Sequence, residues 1–166
     1  MISCPERTAA GRAVGTRTRH SVHGIRQVPV GTRDPANLFE EGARSHVPEL
    51  AQIRHRGMTS SPFAFFRGAA LIKTADLAST PDSGLQAQIC DDARLSDSDL
   101  FGAPEHPSIF DLYDFEDTLA GQCAWDLWRL AASFEIVGRE GDFFRTKRRE
   151  ITCAVGRAYR LTRIRE

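Results

Sequence analysis

Ten acidic side chains fall between Asp91 and Asp126, against a single basic one, Arg94. Like charges at that density repel, so a packed domain accommodates them only with a cation among them or with water around them. A divalent metal, an arginine cluster and bulk solvent are the three arrangements that answer this need. The stretch from Leu85 to Ser133 reads LQAQICDDARLSDSDLFGAPEHPSIFDLYDFEDTLAGQCAWDLWRLAAS. Two short apolar runs, LQAQIC and SIFDL, each end in carboxylates, and the amphipathic CAWDLWRLAAS follows.

The formal net charge of zero hides a segregation. Residues 1–33 carry a net +5, residues 34–141 a net −10 and residues 142–166 a net +5. Basic ends around an acidic middle can fold back on it or meet a polyanion. The internal reading is favoured over nucleic acid, because neither end has aromatic interleaving or the motif of a nucleic-acid module. No apolar run approaches the ~20 residues of a membrane span. MISCPERTAAGRAVG is too polar for a secretory leader, so the cytoplasm is the expected compartment. Cys4, Cys90, Cys123 and Cys153 form no C-x-x-C pair and read as buried free thiols rather than a zinc site or disulfide framework.

With 166 residues, one domain is the default. Residues 1–33 lack periodicity and read as a disordered or extended basic segment, leaving 34–166 as a single domain. Asp34-Pro35 is a helix start, an N-cap followed by proline in the first turn, with Leu38 and Phe39 on the buried side. Val47-Pro48 breaks that helix, and PELAQIRHRG forms a second with Leu50 and Ile53 inward. Ser61-Pro62 repeats the start signal for a longer helix over about 62–78. Arg67 lies within its apolar face, either as a surface arginine with a snorkelling stem or as a buried guanidinium facing the acids downstream. Leu85–Cys90 and Ser108–Leu112 read as two antiparallel strands, and Ala120-Gly121 as a break. Cys123–Val137 is a helix, and Asp142 caps a last one beginning at Phe143. Phe63, Phe66, Trp125 and Leu130 are the expected core. The fold class is α+β: mostly helical, with a short two-stranded antiparallel unit carrying acidic loops.

Two strand ends can bring Asp92, Asp97 and Asp114 together. Oxygen ligands of this kind suit a hard cation, so Mg²⁺ is a candidate cofactor. Asp126, early in its helix, can brace the loop by accepting backbone N–H bonds.

From about Asp34 to Gly141, through SPFAFFRGAALIK, CDDARL, FDLYDFEDT and WDLWRLAAS, the sequence resembles the bacterial domain-of-unknown-function family 2252 (DUF2252). The family pattern reads SPFAFYRGAA, CGDAHLxNFG, FDxNDFDET and WDxKRLAAS. That pattern is similar in turn to the core of aminoglycoside and choline kinase-type phosphotransferases. The likeness places a catalytic base at Asp92, metal ligands at Asp97 and Asp114, and a bracing role at Asp126. Arg67, Arg94, Asp111 and Arg129 are the other supporting positions. The resemblance implies a partial kinase-like catalytic core, with ATP as a cofactor by likeness alone and the nucleotide-binding residues unassigned.

The chain departs from the pattern in the loop itself. Asp91 stands for Gly, Arg94 for His, Asp97 for Asn, Ser98-Asp99 for Phe-Gly, Tyr113 for Asn and Trp128 for Lys. Gly to Asp adds a side chain where the backbone can require an unusual φ, and Asn to Asp adds charge beside other carboxylates. Family members are longer, and the part expected to carry a glycine-rich nucleotide loop and its lysine has no counterpart here. The expectation is a truncated or degenerate kinase-like core with little or no activity alone. The alternatives are an active Mg²⁺-dependent phosphotransferase acting on a small molecule, whole or split with a separate chain carrying the missing lobe, and, more weakly, anion or nucleic-acid binding through the basic ends.

Overall fold

The computed structural model describes residues 4–18, 34–44, 48–103, 106–112 and 118–165. Asp114, and the N-terminal stretch 19–33, lie outside them. The described chain is α+β and mostly helical, with seven α-helices and short antiparallel strand pairs. No helix among the described residues is long and apolar enough to cross a membrane.

Cys4–Arg17 forms helix α1, where a disordered or extended segment was expected. Its Ala and Arg residues are good helix formers, and intrinsic propensity needs no apolar stripe. The absence of periodicity therefore misled. Helix α2, Pro35–Ala43, starts as its sequence dictates: the Asp34 carboxylate accepts from the Ala36 N–H at 3.0 Å. Leu38 is its buried residue.

Helix α3, Pro48–Met58, is anchored at its far end. Met58 is buried, and its side chain packs where a Cβ on Gly68 would sit, so the glycine lets it lie close against the end of the next helix. Leu50 and Ile53, expected inward, are 56% and 67% exposed. The close contact at Met58 sets the orientation of this helix, and the face bearing Leu50 and Ile53 turns to solvent.

The single helix expected over 62–78 is two: α4, Pro62–Gly68, and α5, Ala70–Ala78. Ser61 caps α4 by accepting from the Ala64 N–H at 3.1 Å. The chain leaves helical geometry at the buried Ala69, φ −101° and ψ 31°. This break turns the carbonyls of Phe66 and Arg67 toward two guanidiniums described below.

Strand β1, Gln86–Ile89, pairs antiparallel with β4, Leu119–Gln122, with Ile89 opposite Leu119. Strand β2, Ser98–Ala103, pairs antiparallel with β3, His106–Leu112. The two expected strand regions therefore exist but do not pair with each other. Only two residues separate β2 from β3, and so short a connection favours hairpin pairing over a distant partner. The Asp- and Ser-rich stretch DDARLSDSD reads as a loop, and its last residues, Ser98 and Asp99, open β2 instead. Gly121 looked like a break, yet it is buried within β4, and a Cβ there would meet Ile89 Cδ1 at 2.6 Å. Glycine is what admits the Ile89 side chain.

Helix α6, Ala124–Glu140, buries Trp125, Arg129, Ser133 and Gly138, a helical stripe that includes a charge. Helix α7, Arg145–Arg165, packs on α6 where the Arg148 stem crosses Gly138. It begins later than expected. Asp142 sits in a turn at φ 55° rather than capping, and Phe143 and Phe144 are exposed. Of the expected core, Trp125 is buried, while Phe63, Phe66 and Leu130 are half-buried. Cys90 and Cys123 are half-buried free thiols, and Cys153 is exposed.

Among the described residues the buried apolar side chains are Leu38, Met58, Ala69, Ile89, Ala93 and Trp125. As many polar ones are buried with them: Asp91, Arg94, Asp97, Gln122, Arg129 and Ser133. With so little apolar core, Trp125 carries a large share. Trp125→Ala is expected to cost about 3–5 kcal/mol in a urea melt. Trp125→Phe should cost under about 1.5 kcal/mol, because the indole N–H it removes is buried with no hydrogen-bond partner among the described residues. A near-zero change for the alanine variant would contradict this packing.

Candidate functional site

The loop from Cys90 to Asp97 leaves β1 and enters a short 3₁₀ turn over Leu95–Asp97. Asp91 has φ 56°, the left-handed conformation that glycine adopts freely and aspartate tolerates. Its side chain helps hold it there. Lys73 Nζ donates to the Asp91 carbonyl at 2.6 Å and approaches its Oδ1 at 3.3 Å, while Thr74 Oγ1 donates to Oδ2 at 2.9 Å. Burial lowers the pKa of Lys73, partly offset by Asp91.

Asp92 faces two arginines. Arg94 Nη1 lies 2.7 Å from its Oδ2, and Arg129 Nη2 contacts its Oδ1. Burial pushes the Asp92 carboxyl up, against the pull of Arg129 and then Arg94. Asp97 is 3% exposed and takes Arg94 Nε at 2.8 Å and the Arg94 backbone N–H at 3.1 Å, both on Oδ2. Arg94 thus bridges Asp92 and Asp97.

Both guanidiniums also close the broken end of α4. Arg94 Nη1 donates to the Arg67 carbonyl at 2.8 Å, and Arg129 Nη2 donates to the Phe66 carbonyl at 2.9 Å. A helix end leaves such carbonyls short of intrahelical donors: that of Phe66 has a long bond from the Ala69 N–H, at 3.4 Å. The Arg129 guanidinium carbon sits 4.2 Å from the Phe66 ring centroid, a cation–π contact. Its side chain is fully buried, and its Nε and Nη1 have no hydrogen-bond partner among the described residues. Burial lowers its pKa and Asp92 raises it, yet a guanidinium stays charged in a protein.

Asp126 Oδ2 accepts from the Cys90 N–H at 2.9 Å, tying α6 to the start of the loop. Burial raises its pKa, against the backbone bond from Cys90 and the charge of Lys73. Ser133 Oγ accepts from the Leu95 N–H at 3.0 Å and fixes the other end.

The structure therefore brings together Asp92, Asp97, Arg94, Arg129 and Asp126. Arg67 contributes its carbonyl, and its side chain is exposed. Asp111 is exposed on β3, opposite Asp99. Lys73, Thr74, Phe66 and Ser133 were missed. The one available signal was Lys73 itself, a charge inside the apolar run ALIKTADLA, since lysine is seldom buried without a partner. Among the described residues no group of three His, Cys, Asp or Glu side chains could hold a metal ion. The described part of the loop does not fit a hard cation: Asp92 and Asp97 both face guanidinium donors. The loop also forms one wall of a cleft of about 630 Å³, shared with α2, α3 and α5.

A family model described as "Uncharacterized protein conserved in bacteria (DUF2252)" matches residues 44–166. No curated protein and no solved structure matches the chain.

The raised pKa of Asp126 has a pH consequence. Folded Asp126 binds its proton more tightly than unfolded Asp126. From about pH 4 up through its raised value, the folded state holds more protons, and stability falls as pH rises. Asp126→Asn keeps an oxygen acceptor for Cys90 and lacks that titration. Urea melts from pH 4 to 7 should show the variant gaining on the wild type as pH rises. Parallel curves would contradict the assignment.

Proposed function

This chain belongs to the DUF2252 family, and from its loop geometry we propose that it is a degenerate kinase-like core with little or no phosphotransferase activity of its own. The observation that carries this reading is the Arg94 bridge between Asp92 and Asp97. In the pattern the chain resembles, those two positions supply a base and a metal ligand, and the positions of Arg94 and Asp97 hold histidine and asparagine. The two departures are partners in one ion pair. The departure at Asp91 is likewise matched, by Lys73 and Thr74. Substitutions that answer one another support a loop kept for its structure.

Phosphoryl transfer depends on positioning and charge stabilisation by several parts acting together. A base must reach the proton that it takes, and both oxygens of Asp92 already carry an arginine. The guanidiniums also supply the positive charge that a bound Mg²⁺ would bring. The core in this reading is a scaffold whose acids are neutralised from within.

The test is a coupled assay with ATP, Mg²⁺ and a panel of small hydroxyl and amino acceptors, alongside thermal melts. Turnover should stay at background, and millimolar Mg²⁺ should leave Tm unchanged, since a ligand that does not bind the folded state cannot stabilise it. ATP-dependent transfer that disappears in Asp92→Ala would overturn the proposal. So would an Mg²⁺-induced rise in Tm that disappears in Asp97→Ala.

A further inference from the structure

Helix α7 holds eight basic residues and one acidic one, Glu150. Its inner side packs on α6, and Arg148, Ile151, Thr152 and Val155 on that side are half-buried. The basic end was expected to fold back on the acidic middle. Of the described basic side chains of α7, only Arg148 reaches an acid outside the helix, Glu135 at 3.0 Å. Lys147 pairs within the helix, with Glu150. The acids of the loop are met by Lys73, Arg94 and Arg129 instead.

Four arginines of α7 are thereby left over. Arg145, Arg149, Arg157 and Arg160 are exposed and form no ion pair among the described residues. At about 3.6 residues per turn they fall within an arc of about 120°, along about 22 Å of helix. Like charges at this spacing destabilise a helix, Arg145 with Arg149 one turn apart and Arg157 with Arg160 likewise. An external anion relieves that repulsion. Arg145 and Arg149 also line a groove between α6 and α7 together with Arg139. Its acid, Glu135, already takes Arg139 at 2.8 Å and Arg148 at 3.0 Å.

The length of this face selects the partner. A small anion answers one or two of the arginines, whereas one strand of a duplex presents about six phosphates over about 22 Å. The guanidinium fork matches phosphate oxygens. Cys153 and Gly156 are the exposed residues between the arginines, while Ile151 and Val155 lie on the packed side. A helix that lies on a membrane needs large apolar side chains free to enter the lipid, and this face has none. With α6 against its inner side, α7 meets a duplex along the backbone, and backbone contacts carry no sequence information. We propose that the arginine face of α7 binds the phosphate backbone of a nucleic-acid duplex without reading its sequence. The surface uses none of the loop residues and does not depend on whether the loop transfers phosphoryl groups.

Fluorescence anisotropy of the whole chain tests this with labelled DNA and RNA duplexes of arbitrary sequence. Saturable binding to at least one of them is expected, weakening about 100-fold between about 50 and 200 mM NaCl, as four phosphate contacts require. Arg149→Gln and Arg157→Gln should each weaken binding and make the slope of log affinity against log salt shallower by about 0.9. The variant carrying R145Q, R149Q, R157Q and R160Q together should bind about 100-fold more weakly or less at low salt. Arg56→Gln, at an exposed position of α3, should bind as the wild type does. Circular dichroism checks that each variant keeps its helical content. Poly-glutamate and phosphatidylserine vesicles are run as competing partners. Absence of saturable duplex binding at low salt, affinity indifferent to salt, full binding by the fourfold variant, or tighter binding of poly-glutamate or of the vesicles would each overturn the proposal.

Discussion

Two buried guanidiniums hold the centre of this fold together. Arg94 and Arg129 each contact Asp92, and each donates to a carbonyl at the end of α4. Taking ions out of water costs several kcal/mol apiece, and only close pairing with further hydrogen bonds offsets that cost. The break at Ala69 supplies part of the offset. A continuous helix would use the Phe66 and Arg67 carbonyls internally, whereas the broken one keeps a long bond from Ala69 to Phe66 and presents both carbonyls to the arginines. Helix break, acidic loop and arginine-bearing α6 are therefore parts of one arrangement, and none of them is satisfied without the others.

That arrangement explains why polar residues are so prominent in the core. The fully buried Ser133 fixes the loop backbone through Leu95, and Asp126 does the same through Cys90. Lys73 and Thr74 hold Asp91 in a left-handed conformation where the resembling pattern has glycine. Cores of this kind specify one geometry closely, because each unsatisfied member is costly. They contribute less apolar burial, so Trp125, Ile89 and Met58 matter more than their number suggests. Gly68 and Gly121 matter for the same reason, since each lets one of those side chains approach a backbone.

What the sequence disclosed was local or forced. Asp34-Pro35 and Ser61-Pro62 announced their helices because capping is a contact between near neighbours. The acidic stretch required a cation, and an arginine cluster was one of three answers open to it. Choosing among them needed tertiary structure, because Arg129 lies far along the chain from Asp92 and reaches it only when α6 packs on the loop. The same distance hid the pairing of β1 with β4. Leu50 and Ile53 show that helical spacing identifies an apolar face without showing that anything covers it. Helix α1 shows the reverse, a helix with no periodic face for the eye to find. Of the two readings of Arg67, the surface one describes its side chain, which is exposed, and it is the carbonyl that joined the arginine network.

The ion pair between Asp92 and Arg129 is the most direct point of attack. A double-mutant cycle with Asp92→Asn, Arg129→Met and the combined variant, measured by urea denaturation at pH 7, isolates the coupling between the two side chains. Asp92→Asn strands the buried charge of Arg129, and Arg129→Met leaves Asp92 with Arg94 alone, whereas the pair of changes removes both charges. A coupling of about 2 kcal/mol or more, with the double variant well above the sum of the single losses, is the expected result. Additivity within about 0.5 kcal/mol would contradict it and would mean that the acidic loop does not depend on Arg129.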